Sequence, residues 1–152
     1  MSTLFKFCDD SRFQLSIVGH NGSYDCIPFV DNGTVLDEKT QLKILQSMVA
    51  QSQYTFPGDC TLEAIDAAVR NAKPNDLILV ISDANLRRYR IEAQEVSKLV
   101  QRQDIHTHLI LIGSTNEAKE LAQAIPNERA QACFDSADLP IMIKSIVSNA
   151  TK

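Results

Sequence analysis

Two runs of large aliphatic residues dominate the pattern of this chain. Leu77-Ile-Leu-Val-Ile81 and Leu109-Ile-Leu-Ile112 are too short for a membrane helix and lack the alternation of a half-exposed strand. The first predicts a strand buried on both faces and central in a parallel sheet, and the second lies in a strand expected from Thr107 to Gly113. Upstream, Phe13-Gln-Leu-Ser-Ile-Val-Gly19 alternates apolar with polar, and Cys26-Ile-Pro-Phe-Val30 follows as a short strand. Pro28 cannot donate to a ladder, so residues 19–30 predict a hairpin at one side of the sheet.

Helical spacing fills the intervals. Leu42, Leu45, Met48 and Val49 recur at threes and fours behind Asp37, a candidate cap. Leu62, Ile65, Ala68 and Val69 form a second such face, with Asp59 or Thr61 as its cap. Ile91 to Gln101 predicts a third helix through Val96, Leu99 and Val100, and residues 116–124 predict a fourth. Ala132-Cys-Phe134 reads as a short last strand, and Asp138 with Pro140 opens a final helix through Ile143, Ile146 and Val147. Strands alternating with helices imply an α/β fold: three layers, α-β-α, around a mostly parallel, doubly wound, Rossmann-like sheet with right-handed crossovers. A length of 152 residues suits one domain, with residues 1–12 and 149–152 as loose termini.

Composition narrows the class of partner. A net charge of −4 argues against a general nucleic-acid binder, and no stretch is long and apolar enough to suggest a membrane. Arg87, Arg88 and Arg90 form the one basic cluster and read as a solvated surface. Cys8, Cys26, Cys60 and Cys133 show no CxxC pairing, which points to free thiols in a reducing, intracellular compartment. The first ten residues lack the apolar core of a signal peptide. Three glycosylation sequons, at Asn21, Asn32 and Asn149, read as coincidence, the first two as turns.

Candidate chemistry gathers where the first aliphatic run ends. Ser82-Asp83-Ala84-Asn85 places a carboxylate at the carboxyl edge of the sheet, where open α/β folds bind ligands, and the helix beginning near Thr61 should open at the same edge. A carboxylate facing a hydroxyl suits a hard cation such as Mg2+; the bland alternative is that Asp83 caps a turn and Thr61 caps its helix. His106 and His108 point the same way on a strand but lack a third metal ligand and read as solvated edge residues. Cys60 with His20 as base would be a thiol hydrolase pair, but nothing places those loops together.

Gly58-Asp-Cys-Thr61 and Ile81-Ser-Asp-Ala-Asn85, in this order and on these elements, resemble two of the three parts of the metal-ion-dependent adhesion site of von Willebrand factor A domains. The resemblance spans about Phe13 to Val147 and is strongest to an A domain carried by a large mitochondrial AAA+ protein. It implies a non-enzymatic protein-interaction module in which Thr61 and Asp83 hold Mg2+ and a partner's acidic side chain completes the shell. The family's Asp-x-Ser-x-Ser turn has no counterpart, Asp9-Asp10-Ser11-Arg12-Phe13 being a partial imitation. The resemblance therefore implies that the first strand and its metal loop are missing, that metal affinity is weak, and that an exposed strand edge could support self-association. It also implies a mitochondrial setting, with the cytoplasm as alternative. Two rivals stand beside this reading. One is a metal-independent interaction or structural fragment of a larger AAA+ assembly protein; the other is a hydrolase or phospho-aspartyl enzyme using Asp83, which the absence of a lysine after Gly113 disfavours. No Gly-x-x-x-x-Gly-Lys-Ser/Thr loop is present for ATP.

Overall fold

A computed structural model describes residues 1–8, 13–20, 26–31, 34–53, 58–83, 85–113 and 116–152. They fall into two compact units, Met1–Cys60 and Thr61–Lys152. The second unit positions the candidate site.

In the second unit the aliphatic runs become β3 (Leu77–Ser82) and β4 (His106–Ile112), joined by β5 (Ala130–Cys133); β1 (Ile17–Gly19) and β2 (Ile27–Val30) belong to the first unit. The three strands are parallel in the order β3-β4-β5. The parallel sheet is as expected, but among the described strands β4 is the central one and β3 lies at the edge. Burial follows: Leu109, Ile110 and Leu111 of β4 are all 0% exposed, whereas Leu77, Ile78, Leu79 and Ile81 of β3 are only half-buried. An aliphatic run reports how apolar a strand's surroundings are, not how many strands it pairs with.

Register assigns the faces. Val80 pairs with Leu109 and Ser82 with Leu111, and β5 brings Ala130 and Ala132 alongside. This face packs in one core against Ile65 and Val69 of α3 (Thr61–Asn71), Val96 and Val100 of α4 (Ala93–Leu99) and its C-cap, and Ala118 and Leu121 of α5 (Asn116–Ala124). Burying each such side chain contributes about 1.5–3 kcal/mol, which makes this layer the main stabilising element of the unit. The last helix, α6 (Leu139–Ala150), has Pro140 in its first turn and buries Ile143, Ile146 and Val147. It runs through Ala150, where a loose end was expected.

The helices start and stop for local reasons. A capping box at Glu92 and Glu95 opens α4, satisfying backbone donors at the helix start. The link from α3 to β3 turns through Asn75 at φ 71, a conformation that asparagine tolerates better than most residues. At this end of the sheet, the guanidinium of Arg102 donates to Val69 O at 2.9 Å and pairs with Asp104, while Arg129 donates to the carbonyls of Val100 and Arg102. Helix-end carbonyls that would otherwise lack partners are thereby satisfied.

In the first unit β1 (Ile17–Gly19) pairs antiparallel with β2 (Ile27–Val30), with an irregularity between Ile17 and Val18, so only the end of the 13–19 run forms strand. The turn expected at Asn21-Gly22 lies outside the described residues. Asp37 caps α2 (Glu38–Ser52) as predicted, accepting from Thr40 N at 2.7 Å. Helix α1 (Ser2–Phe7), in a stretch expected to be loose, inserts Phe5 beside Ile17, Val30 and Ile44. The apolar face of α2 is rotated from the expected one: Ile44 is its buried residue, while Leu42 and Val49 are 57% and 59% exposed.

Candidate functional site

The end of the parallel sheet is built from the α3–β3 pair. Helix α3 has 11 residues and so is about 16 Å long, and β3 has 6 and so spans about 20 Å. A short link, residues 72–76, joins the end of the one to the start of the other, and the two elements pack together. They run antiparallel with similar length, which puts Thr61, first residue of α3, at the same end of the unit as Asp83, first residue after β3. Gly113, just past β4, is adjacent: a Cβ there would lie 3.9 Å from Asp83 O and 3.5 Å from Ala118 Cβ.

The two predicted site residues sit in opposite surroundings. Asp83 is exposed, and its carboxylate accepts from Asn85 N at 3.2 Å and from Asn85 Nδ2 at 2.9 Å. This is the local Asx turn of the bland reading, and Asn85 is the partner that the Asp-x-Asn spacing signals. Thr61 is 0% exposed. It is a residue of the helix proper, while Asp59 belongs to the first unit.

One carboxylate and one hydroxyl are the kinds of oxygen donor that a hard cation takes. Mg2+ takes about six oxygens in near-octahedral geometry, and here one carboxylate already shared with Asn85 and one buried hydroxyl supply two positions at most. Among the described residues no cluster of three or more His, Cys, Asp and Glu side chains could hold a metal ion. The partial imitation at residues 9–12 lies outside the described residues. The described residues therefore do not make up a full shell.

After Asp83 the chain forms a 3-10 turn, η1 (Asn85–Tyr89), rather than entering the third helix directly. Leu86 at 0% and Ile91 at 7% exposure anchor it, and Ile91 N donates to Leu86 O at 3.0 Å. Arg87 crosses to α5, pairing with Glu120 at 3.0 Å. The apolar pair Leu86 and Ile91, bracketing four polar or aromatic residues, was the signal for this turn.

The other candidates separate from the site. His106 is exposed as expected, but His108 on the same face is half-buried, and its Nε2 is out of solvent with no hydrogen-bond partner among the described residues. Burial, then the nearby Arg129 guanidinium, hold its pKa below the ordinary value. Such a histidine is neutral, packed beside Leu79, and no metal cluster includes it. Cys60 is 1% exposed, and Cys133 is 2% exposed with its thiol pushed up by burial and then by Asp138 and Asp135. Buried thiols of this kind are poor nucleophiles. A groove of 390 Å3 between β2 and α2 has the size of a small-molecule site, but Lys43 is its one ionisable lining residue. No described helix is long and apolar enough to cross a membrane.

No family model matches the chain, and no solved structure matches it. It is 27% identical over 147 residues to von Willebrand factor A domain-containing protein 8 of Mus musculus. That similarity covers 92% of this chain but only 8% of the relative, so the chain corresponds to a small part of a much longer protein. With a parallel sheet flanked by helices and a similarity spanning nearly its whole length, the chain has a von Willebrand factor A-like α/β fold.

Proposed function

We propose that the chain is a non-enzymatic protein-interaction module of the von Willebrand factor A type, with a partial Mg2+ site at Thr61 and Asp83. The observation that carries this reading is the placement of Asp83, exposed at the carboxyl edge of a parallel sheet, at the same end of the unit as Thr61. The similarity to a protein named for its von Willebrand factor A domain supports it. Metal would add the charge that lets an acidic side chain of a partner approach a carboxylate. This chain's own part would be to hold the cation from one side and leave the rest of the shell open. Two protein oxygens make such binding weak and dependent on the partner.

Buried thiols and a histidine that resists protonation support a non-enzymatic role, as does Asp83 being bonded to Asn85 rather than to an acid–base partner. By the resemblance the module works inside the cell, in mitochondria first, as part of a larger assembly. A thermal melt with and without Mg2+, repeated on Asp83→Ala, tests the site, because a ligand raises the midpoint only by binding the folded state. A small Mg2+-dependent rise that the variant loses is expected. An equal rise in both proteins would remove Asp83 from the site. A cooperative melt without any rise would favour the metal-independent interaction fragment.

A further inference from the structure

The arginines of this chain divide by what they touch. Arg70 pairs with Asp66, Arg87 with Glu120, Arg102 with Asp104, and Arg129 with two backbone carbonyls. Arg88 and Arg90 have no carboxylate or carbonyl partner among the described residues, and both are exposed. The acidic groups nearest along the chain are already engaged. Asp83 accepts from Asn85, Glu92 and Glu95 serve the capping box of α4, and Glu120 holds Arg87. Among the described arginines these two guanidinium groups are thus left over, in a protein whose net charge is −4.

They are also held in place. The guanidinium of Arg88 lies 5.9 Å from the ring centroid of Tyr89, which is itself one of the exposed large apolar side chains. Arg90 sits at φ 61, and its N–H donates to Arg87 O at 3.0 Å. That left-handed conformation costs a bulky residue roughly 1–2 kcal/mol, and it persists because Leu86 and Ile91 are buried on either side. Glycine would fill the position without strain. Arginine and tyrosine on a backbone fixed by buried anchors are the residue types enriched where proteins bind one another most tightly.

We propose that Arg88, Tyr89 and Arg90 form a docking surface for an acidic peptide segment of a protein partner. The guanidinium groups offer forked donors to carboxylates, and the tyrosine ring gives the segment an apolar contact beside them. The surface extends the reading of the chain as an interaction module, but it requires no metal. The overall negative charge disfavours a nucleic-acid backbone as occupant, since phosphate tracking needs a wide basic face.

The test is fluorescence anisotropy on the full chain in EDTA, with a labelled peptide rich in Glu and Asp and a labelled single-stranded oligonucleotide of equal charge. The variants are Arg88→Glu, Arg90→Gly and the pair together. Saturable peptide binding that weakens with salt and falls roughly tenfold in the double variant is expected. Because Arg90→Gly relieves strain at φ 61, its melting midpoint should be at least that of the parent, which separates lost binding from lost fold. Absent peptide binding, equal binding by the double variant, or tighter binding of the oligonucleotide would each overturn the proposal. None of these results bears on the Mg2+-dependent melt, so failure here and failure of the metal site are distinguishable.

Discussion

The two units of the chain solve the same problem, covering an apolar face, with unequal means. In Thr61–Lys152 one face of three parallel strands meets α3, α4 and α5, and strand residues such as Leu109 and Leu111 lose all contact with solvent. In Met1–Cys60 a two-stranded ribbon meets α1 and α2, and the cluster is built on Phe5, Ile17, Val30 and Ile44. A two-stranded ribbon is marginal without something packed against it, which gives α1 and α2 their importance. Even so, α2 leaves Leu42 and Val49 largely in water. The difference lies in the strands: β4 is sealed at Leu109, Ile110 and Leu111, whereas in the first unit Val18 of β1 is 52% exposed.

The largest effect should follow from damage to the shared core of the second unit. Leu109→Ala removes a fully buried side chain from the central strand and is expected to cost about 2–5 kcal/mol, read as a lowered urea midpoint with an unchanged slope. In the first unit Phe5→Ala should cost about 3 kcal/mol, near the lower end for a buried aromatic because fewer groups pack around it. Amide hydrogen exchange is the check that separates them. Faster exchange confined to β1, β2 and α2 would support two units of independent stability, and faster exchange throughout would break the comparison.

Smaller changes sharpen it. Gly58 has φ 94, so Gly58→Ala should destabilise the chain by about 1 kcal/mol in a thermal melt. His108 supplies a pH dependence. Its pKa is lowered in the folded state, by burial and then by Arg129, so the unfolded chain binds the proton more readily. Stability is therefore undiminished above the ordinary value of 6.5 and falls as pH drops from there through the lower folded value. His108→Leu should flatten that part of the pH–stability curve, measured by urea titration at each pH.

Much of this architecture was legible in the residues. The aliphatic runs and the three-and-four spacings give β3, β4, α3 and α5 because burial on both faces or on one face leaves a direct trace in composition. The order of the strands left no such trace, and β3 lies at the edge although its run is as apolar as that of β4. Helix α1 was hidden because six residues make too short a periodic signal, and η1, at five residues, left only the pair Leu86 and Ile91 as its trace. At the site, the Asp-x-Asn turn could be read from spacing alone. The burial of Thr61 could not, since it depends on how α3 sits on the sheet.

The central claim, a weak cation site at the end of the parallel sheet, is tested most directly by titrating the 15N-labelled chain with Mg2+ and following every amide. Fast-exchanging shifts confined to the neighbourhood of Thr61, Asp83, Asn85 and Gly113, and lost in Asp83→Ala, are predicted. Unmoved signals at those amides, or shifts centred on the first unit, would contradict it.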